Sequence, residues 1–352
     1  MSGGIAMALV AAVLFGASAP FAKLLLASSP PQLLAGLLYL GSGIGLGVVW
    51  LRRRRSTEVA RETPLTKRDV PALAGAIAFG GAIGPVLLMI GLSRTPASAA
   101  SLLLNLEGVF TALIAWFAFH ENFDRRIALG FLAIVAGGVA LSWQGGLAGG
   151  GIVGPLAVAG ACLCWAIDNN LTQKVSAGDP VQIAMLKGLV AGSINTVIAL
   201  ALGASWPSAP RVAAALTLGF LSYGVSLVAF VLALRQLGTA RTGAYFSTAP
   251  FVGALLSLIV FRERPTSSLI IAAVLMGIGV WLHVSERHEH DHRHEATEHD
   301  HPHVHDVHHQ HAHAPDDPPV TDPTPHTHRH RHRPLVHSHP HYPDIHHRHA
   351  HD

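Results

Sequence analysis

The stretch GLSRTPASAASLLLNLEGVFTALIAWFAFHEN, residues 91–122, decides how the chain is read. From Leu102 onward it is apolar enough for the core of a bilayer, yet Glu107 lies inside the run. The register returns 142 residues later as ALRQLGTARTGAYFSTAPFVGALLSLIVFRER, residues 233–264, with no gap. Phe119–His120–Glu121 falls on Phe261–Arg262–Glu263, and Ala112–Leu113 on Ala254–Leu255. Self-similarity at half the length of an apolar body predicts two copies of one unit.

Composition agrees once the chain is divided. Half of the 352 residues are apolar and 13% are charged. Residues 285–352 hold 23 of the 25 histidines and 12 of the 21 acidic residues, so the body before them is sparsely charged. A soluble core does not look like this. Apolar runs near 20 residues predict membrane helices, at about 5–26, 31–51, 70–92, 96–119, 127–143, 152–173, 180–202, 211–234, 239–261 and 267–284. No basic segment precedes the first run, which reads as a retained helix rather than a cleaved leader. Cys162 and Cys164, two apart on one helix, point to different faces and are not expected to pair.

Loop charge sets an orientation. Loop 52–69 carries seven Lys/Arg, and the loops on its side hold twelve against four on the other. The positive-inside rule then places loop 52–69 and both termini in the cytoplasm of a multi-pass protein of the bacterial inner membrane. The basic excess is explained by topology, and nucleic acid is not an expected partner; the expected partners are the lipid bilayer and a small cargo, with monomer or homodimer left open. Five helices per half is an odd number, so the halves enter the membrane in opposite senses. The expected fold class is an all-α polytopic membrane protein: ten transmembrane helices in two inverted five-helix repeats, at 1–146 and 147–284, followed by a disordered tail, 285–352.

The residues FGASAPFAK (15–23), CWAIDNNLTQK (164–174) and the helix ends FHEN and FRER resemble the drug/metabolite transporter superfamily, specifically EamA-type ten-helix proteins. The resemblance covers roughly 5–284. It implies a secondary transporter of the inner membrane, often an exporter of small solutes, and some members of the superfamily are linked to metal resistance. The family commonly has proline in the middle of the fourth and ninth helices. The ninth keeps it as Pro250, but the aligned residue of the fourth is Gly108, next to Glu107.

A charge at the bilayer centre costs about 2.5–3.5 kcal/mol, so it faces a cavity or a partner. Asp168 and Lys187 lie at similar depth on adjacent helices and are expected to pair, whether as a structural ion pair or as part of a transport path. Glu107 has no obvious partner at its depth, because Lys23 sits near the far end of helix 1. It reads first as a proton- or cation-coupling group; the alternative is a protonated side chain hydrogen-bonded between helices. Asn105, Asn169 and Tyr245 are further candidates for the pathway, and Tyr245 is equally explained by interhelical hydrogen bonding. Cys164 shares a helix face with Asp168 and is a weak candidate metal ligand, though a cysteine in an apolar helix is more often a small buried residue.

The tail alternates imidazole with Asp, Glu and Arg. His288, His290, His292, His294, His299, His301, His303, His305, His308 and His309 are candidate ligands for divalent nickel, cobalt or zinc. No cofactor is required. With a reference pKa of about 6.5 the imidazoles would begin to charge near pH 6. The tail therefore serves as a gatherer of cargo, or as a buffer unrelated to it. The functions compatible with all this are efflux of a transition metal, export of a small organic metabolite such as an amino acid, or a membrane-tethered metal store or sensor. No nucleophile–base pair, phosphate loop or cofactor motif points to an enzyme.

Overall fold

The computed structural model describes residues 2–55, 65, 67–119, 125–147, 151–173, 175, 179–237, 242, 245–284, 289–294, 298–303, 326–331 and 335–340. Residues up to Glu286 form one compact unit, and those from Arg287 onward a second.

The first unit is helical throughout its described residues. In chain order the helices are α1 (Ser2–Gly16), α2 (Ser18–Leu26), α3 (Pro31–Arg55), α4 (Val70–Ala76), α5 (Gly84–Arg94), α6 (Ala97–Leu103) and α7 (Leu106–Phe119). They continue as α8 (Arg125–Leu147), α9 (Val153–Gln173), α10 (Pro180–Ala201), α11 (Ala209–Gly219), α12 (Ser226–Leu237), α13 (Ala249–Phe261) and α14 (Ser267–Val284). Six helical segments are long and apolar enough to cross a membrane: Gly3–Leu26, Pro31–Arg53, Val70–Arg94, Ala97–Ile114, Pro180–Ala201 and Ala209–Ala233. Shorter apolar helices occupy Ala128–Ser142, Ala249–Phe261 and Ser267–Leu282.

Packing is inverted relative to a soluble protein. Small residues fill the interior: Ala8, Ala11, Ala12, Ala22 and Ala35 are fully buried. Large aliphatic side chains face outward, with Leu132 65% and Ile259 64% exposed. Apolar exposure on this scale suits lipid, and small residues let helix backbones approach closely. The tightest case is α3 against α10, where a Cβ on Gly188 would stand 2.5 Å from the Gly43 nitrogen.

Several of the expected single spans are interrupted. A π-helical turn, Ile77–Ile83, joins α4 to α5, and another, Phe220–Val225, joins α11 to α12. A π turn loosens the i→i−4 ladder and leaves carbonyls to be satisfied otherwise. Tyr39 Oη and Trp165 Nε1 both donate to Gly80 O, at 2.7 and 3.0 Å. Asn195 Nδ2 donates to Gly81 O and Ala82 O, at 3.3 and 3.1 Å, and Gln32 Nε2 holds its other end at 2.9 Å. The expected span at 96–119 is two helices, α6 and α7, broken at Leu104–Asn105. A turn at Ser247–Thr248 precedes α13 at the repeat-related place.

The second unit corrects the expectation of a wholly disordered tail. It contains β1 (Glu289–His294) paired antiparallel with β4 (Leu335–Pro340), and β2 (Glu298–His303) paired antiparallel with β3 (His326–Arg331). Lack of apolar residues excludes a packed core, but main-chain pairing does not need one, and alternation of imidazole with charge is itself a period-two pattern.

Candidate functional site

The break between α6 and α7 builds the site. Asn105 turns back to close α6: its Nδ2 donates to Leu102 O at 2.9 Å and lies 3.8 Å from Met276 Sδ. Two carbonyls at the break receive the buried Cys162 thiol, 3.6 Å from Leu103 O and 4.0 Å from Leu104 O. Glu107 then falls in the first turn of α7, where a helix N-terminus favours negative charge. The sequence left Glu107 without a partner, and this is corrected. Asn169 Nδ2 of α9 donates to Glu107 Oε1 at 2.9 Å and approaches Thr111 Oγ1 at 3.4 Å. The contact exists because α9 lies alongside α7, a neighbour relation that span depth alone does not reveal. Gly108 and Asn169 are exposed, and a Cβ on Gly108 would meet nothing within 4 Å. Glu107 thus borders open space where the family's proline would otherwise stand.

Asp168 has the opposite setting. Lys187 Nζ lies 2.6 Å from both of its carboxylate oxygens, and Thr172 Oγ1 donates to Oδ1 at 2.8 Å. The pair is 17% exposed at Lys187 and 8% at Asp168. The expected pairing is therefore present. Its wall is Gly80 of the π turn, where a Cβ would fall 1.9 Å from Asp168 Oδ2. Gly80, Tyr39 and Trp165 were not singled out in the sequence. The signal available was the GG pair at 80–81 inside an apolar run, which marks close backbone approach.

Tyr245 is half-buried beside the second break, and its carbonyl accepts from Thr248 N and Thr248 Oγ1 at 3.2 and 2.6 Å. Rings from both halves gather nearby: Phe15 and Phe246 at 5.4 Å, Tyr39 and Tyr223 at 5.5 Å, Phe230 and Phe246 at 4.8 Å. Cys164 is buried, and Cys162 and Cys164 are both free thiols. Among the described residues no three His, Cys, Asp or Glu side chains converge as a metal site. His288, His305, His308 and His309 lie outside the described residues; His290, His292, His294, His299, His301 and His303 are placed by backbone register only, on β1 and β2.

A discontinuous helix carrying a carboxylate, beside a buried ion pair in a bundle of apolar helices, is what a solute pathway through a membrane requires. Comparison with known proteins points the same way. The chain is 28% identical over 287 residues to an uncharacterized transporter of Methanothermobacter thermautotrophicus, covering 78% of this chain and 84% of the relative. It is 25% identical over 275 residues to an uncharacterized transporter, YvbV, of Bacillus subtilis, covering 77% of this chain and 88% of the relative. A solved crystal structure superposes with a TM-score of 0.57 at 21% identity, over 79% of this chain and 95% of the other, which speaks for the fold alone. The EamA-like transporter family model matches twice, at residues 2–143 and 152–285. The chain belongs to the EamA-like transporter family: it is a multi-pass membrane transporter and not an enzyme.

Proposed function

We propose that this transporter is a proton-coupled exporter of the inner membrane, with Glu107 as the coupling group. The observation that carries this reading is Glu107 itself, at a helix break, held by one neutral amide and bordering open space. A carboxylate so placed can take up and release a proton without dismantling an ion pair. Asp168 and Lys187 neutralise each other and hold α9 against α10, while Asn169 tells the pathway whether Glu107 is charged. The fold reading is ten helices in two inverted repeats, supported by the double family match and by the paired π turns and breaks. Loop charge supports cytoplasmic termini.

The leading cargo reading is a divalent transition metal, nickel or cobalt foremost and zinc third, gathered by the histidine tail at the cytoplasmic mouth. A second reading, export of an amino acid or similar organic solute, is favoured by the amide and ion-pair chemistry around Asn169 and Asp168. The tail would then be an accessory metal buffer. The deciding experiment is accumulation of radiolabelled nickel in inside-out vesicles, with and without a proton gradient. Gradient-driven accumulation, lost in Glu107→Gln, is expected. Nickel bound without gradient dependence, and only when the tail is present, would overturn the metal reading.

A further inference from the structure

Glu107 separates two unlike halves of one pathway. On the α7 side, Gly108 and Asn169 are exposed. On the α6 side a line of polar residues, Ser98, Ser101 and Asn105, recurs at i, i+3 and i+7, so all three share one helix face. Every one of them is buried, at 3%, 1% and 7% exposure. Hydroxyls aligned on a buried face of a membrane helix need a reason, and Ser101 Oγ has no hydrogen-bond partner among the described residues.

The far end of this line is shut by side chains from distant parts of the chain. Glu263, just beyond α13, accepts from Ala97 N at 3.0 Å, from Ser98 N at 3.4 Å and from Ser98 Oγ. Its carboxylate thereby caps the N-terminus of α6, a charge-assisted arrangement. Lys23 of α2 donates to Thr95 O in the same turn. Arg262, next to Glu263, is the only non-glycine residue with positive φ among the described residues, at 51°, and surrounding contacts must hold such a conformation in place. Below the cap, a Cβ on Gly253 of α13 would stand 2.9 Å from Ser101 Oγ and 2.7 Å from Gly16 O, so α1, α6 and α13 close directly on the hydroxyl line.

We infer that the Ser98–Ser101–Asn105 face of α6 is the second half of the transport pathway, closed in this conformation, and that Glu263 is the positioning residue that keeps it closed. This rests on the transport reading but not on any cargo. Opening that end requires Glu263 to release the α6 N-terminus, after which Ser98 and Ser101 face the solute.

The test is the reaction of Ser101→Cys with a membrane-impermeant thiol reagent, in the full-length protein in proteoliposomes, with the unsubstituted chain reporting the buried Cys162 and Cys164. Slow labelling is expected, rising about tenfold when Glu263→Ala is added, the scale of one lost charge-assisted hydrogen bond. Fast labelling without the Glu263 change, or an unchanged rate with it, would overturn the inference. Should Ser101→Cys fold poorly, amide hydrogen exchange of Glu263→Ala gives the same readout: faster exchange confined to 97–103 is expected, and none at 97–103 would overturn it. Because no nickel is present, failure here leaves the coupling role of Glu107 to its own experiment.

Discussion

Asp168 and Glu107 are two intramembrane carboxylates served by one stretch of α9, yet their surroundings differ at every point. Asp168 has an ammonium on both oxygens, a threonine hydroxyl and a glycine wall. Glu107 has one amide and an exposed glycine beside it. The first arrangement fixes a charge and the second leaves one free to change. Charge in an apolar bundle is therefore not one signal but two, and what separates them is the partner. A buried ion pair resists the loss of either member far more than it resists the loss of both.

That contrast can be broken in steps, from the largest effect on stability to the smallest. Lys187→Met strands the Asp168 carboxylate and should cost about 3–5 kcal/mol, seen as a lower melting temperature of the detergent-solubilised protein; adding Asp168→Asn should recover much of it. Gly80→Ala drives a methyl into Asp168 Oδ2 and should cost about 1–3 kcal/mol, the usual scale of overpacking, by the same measurement. Glu107→Gln keeps shape and can keep the Asn169 contact, so melting should move by less than about 1 kcal/mol while gradient-driven transport is lost. If Glu107→Gln destabilised as strongly as Lys187→Met, Glu107 would be a structural group after all. Deleting 287–352 should leave melting of the helical unit unchanged, since that segment is a compact unit of its own.

Much of this was legible beforehand, and for identifiable reasons. Apolar run length and loop charge follow from bilayer thickness, so spans could be read directly. The pairing of Asp168 with Lys187 followed from equal depth on consecutive helices. Three things were not legible. The Leu104–Asn105 break has no proline to announce it, since Gly108 stands where the aligned sequence has Pro250. The π turns depend on donors far away in sequence, Tyr39, Trp165 and Asn195, which composition cannot link to Gly80, Gly81 or Ala82. Asn169 reaches Glu107 only through the rotation of α9 about its axis, which one chain does not reveal. In the tail, absence of apolar residues was read as absence of structure, whereas strand pairing draws on the main chain alone.

The π turn at Ile77–Ile83 makes the count of residues in that span matter more than their identity. Each residue of a helix advances the face by about 100°. Removing one residue there would restore an ordinary ladder and swing everything from Gly84 to Arg94 by that angle, carrying Leu88, Met89 and Leu92 from the interior to the lipid. Length and hydrophobicity would be almost unchanged, and the segment would still cross the membrane. A frame-preserving codon deletion at this point should therefore be worse tolerated than most substitutions in the same span, whereas the loop at 52–69 should absorb one without consequence.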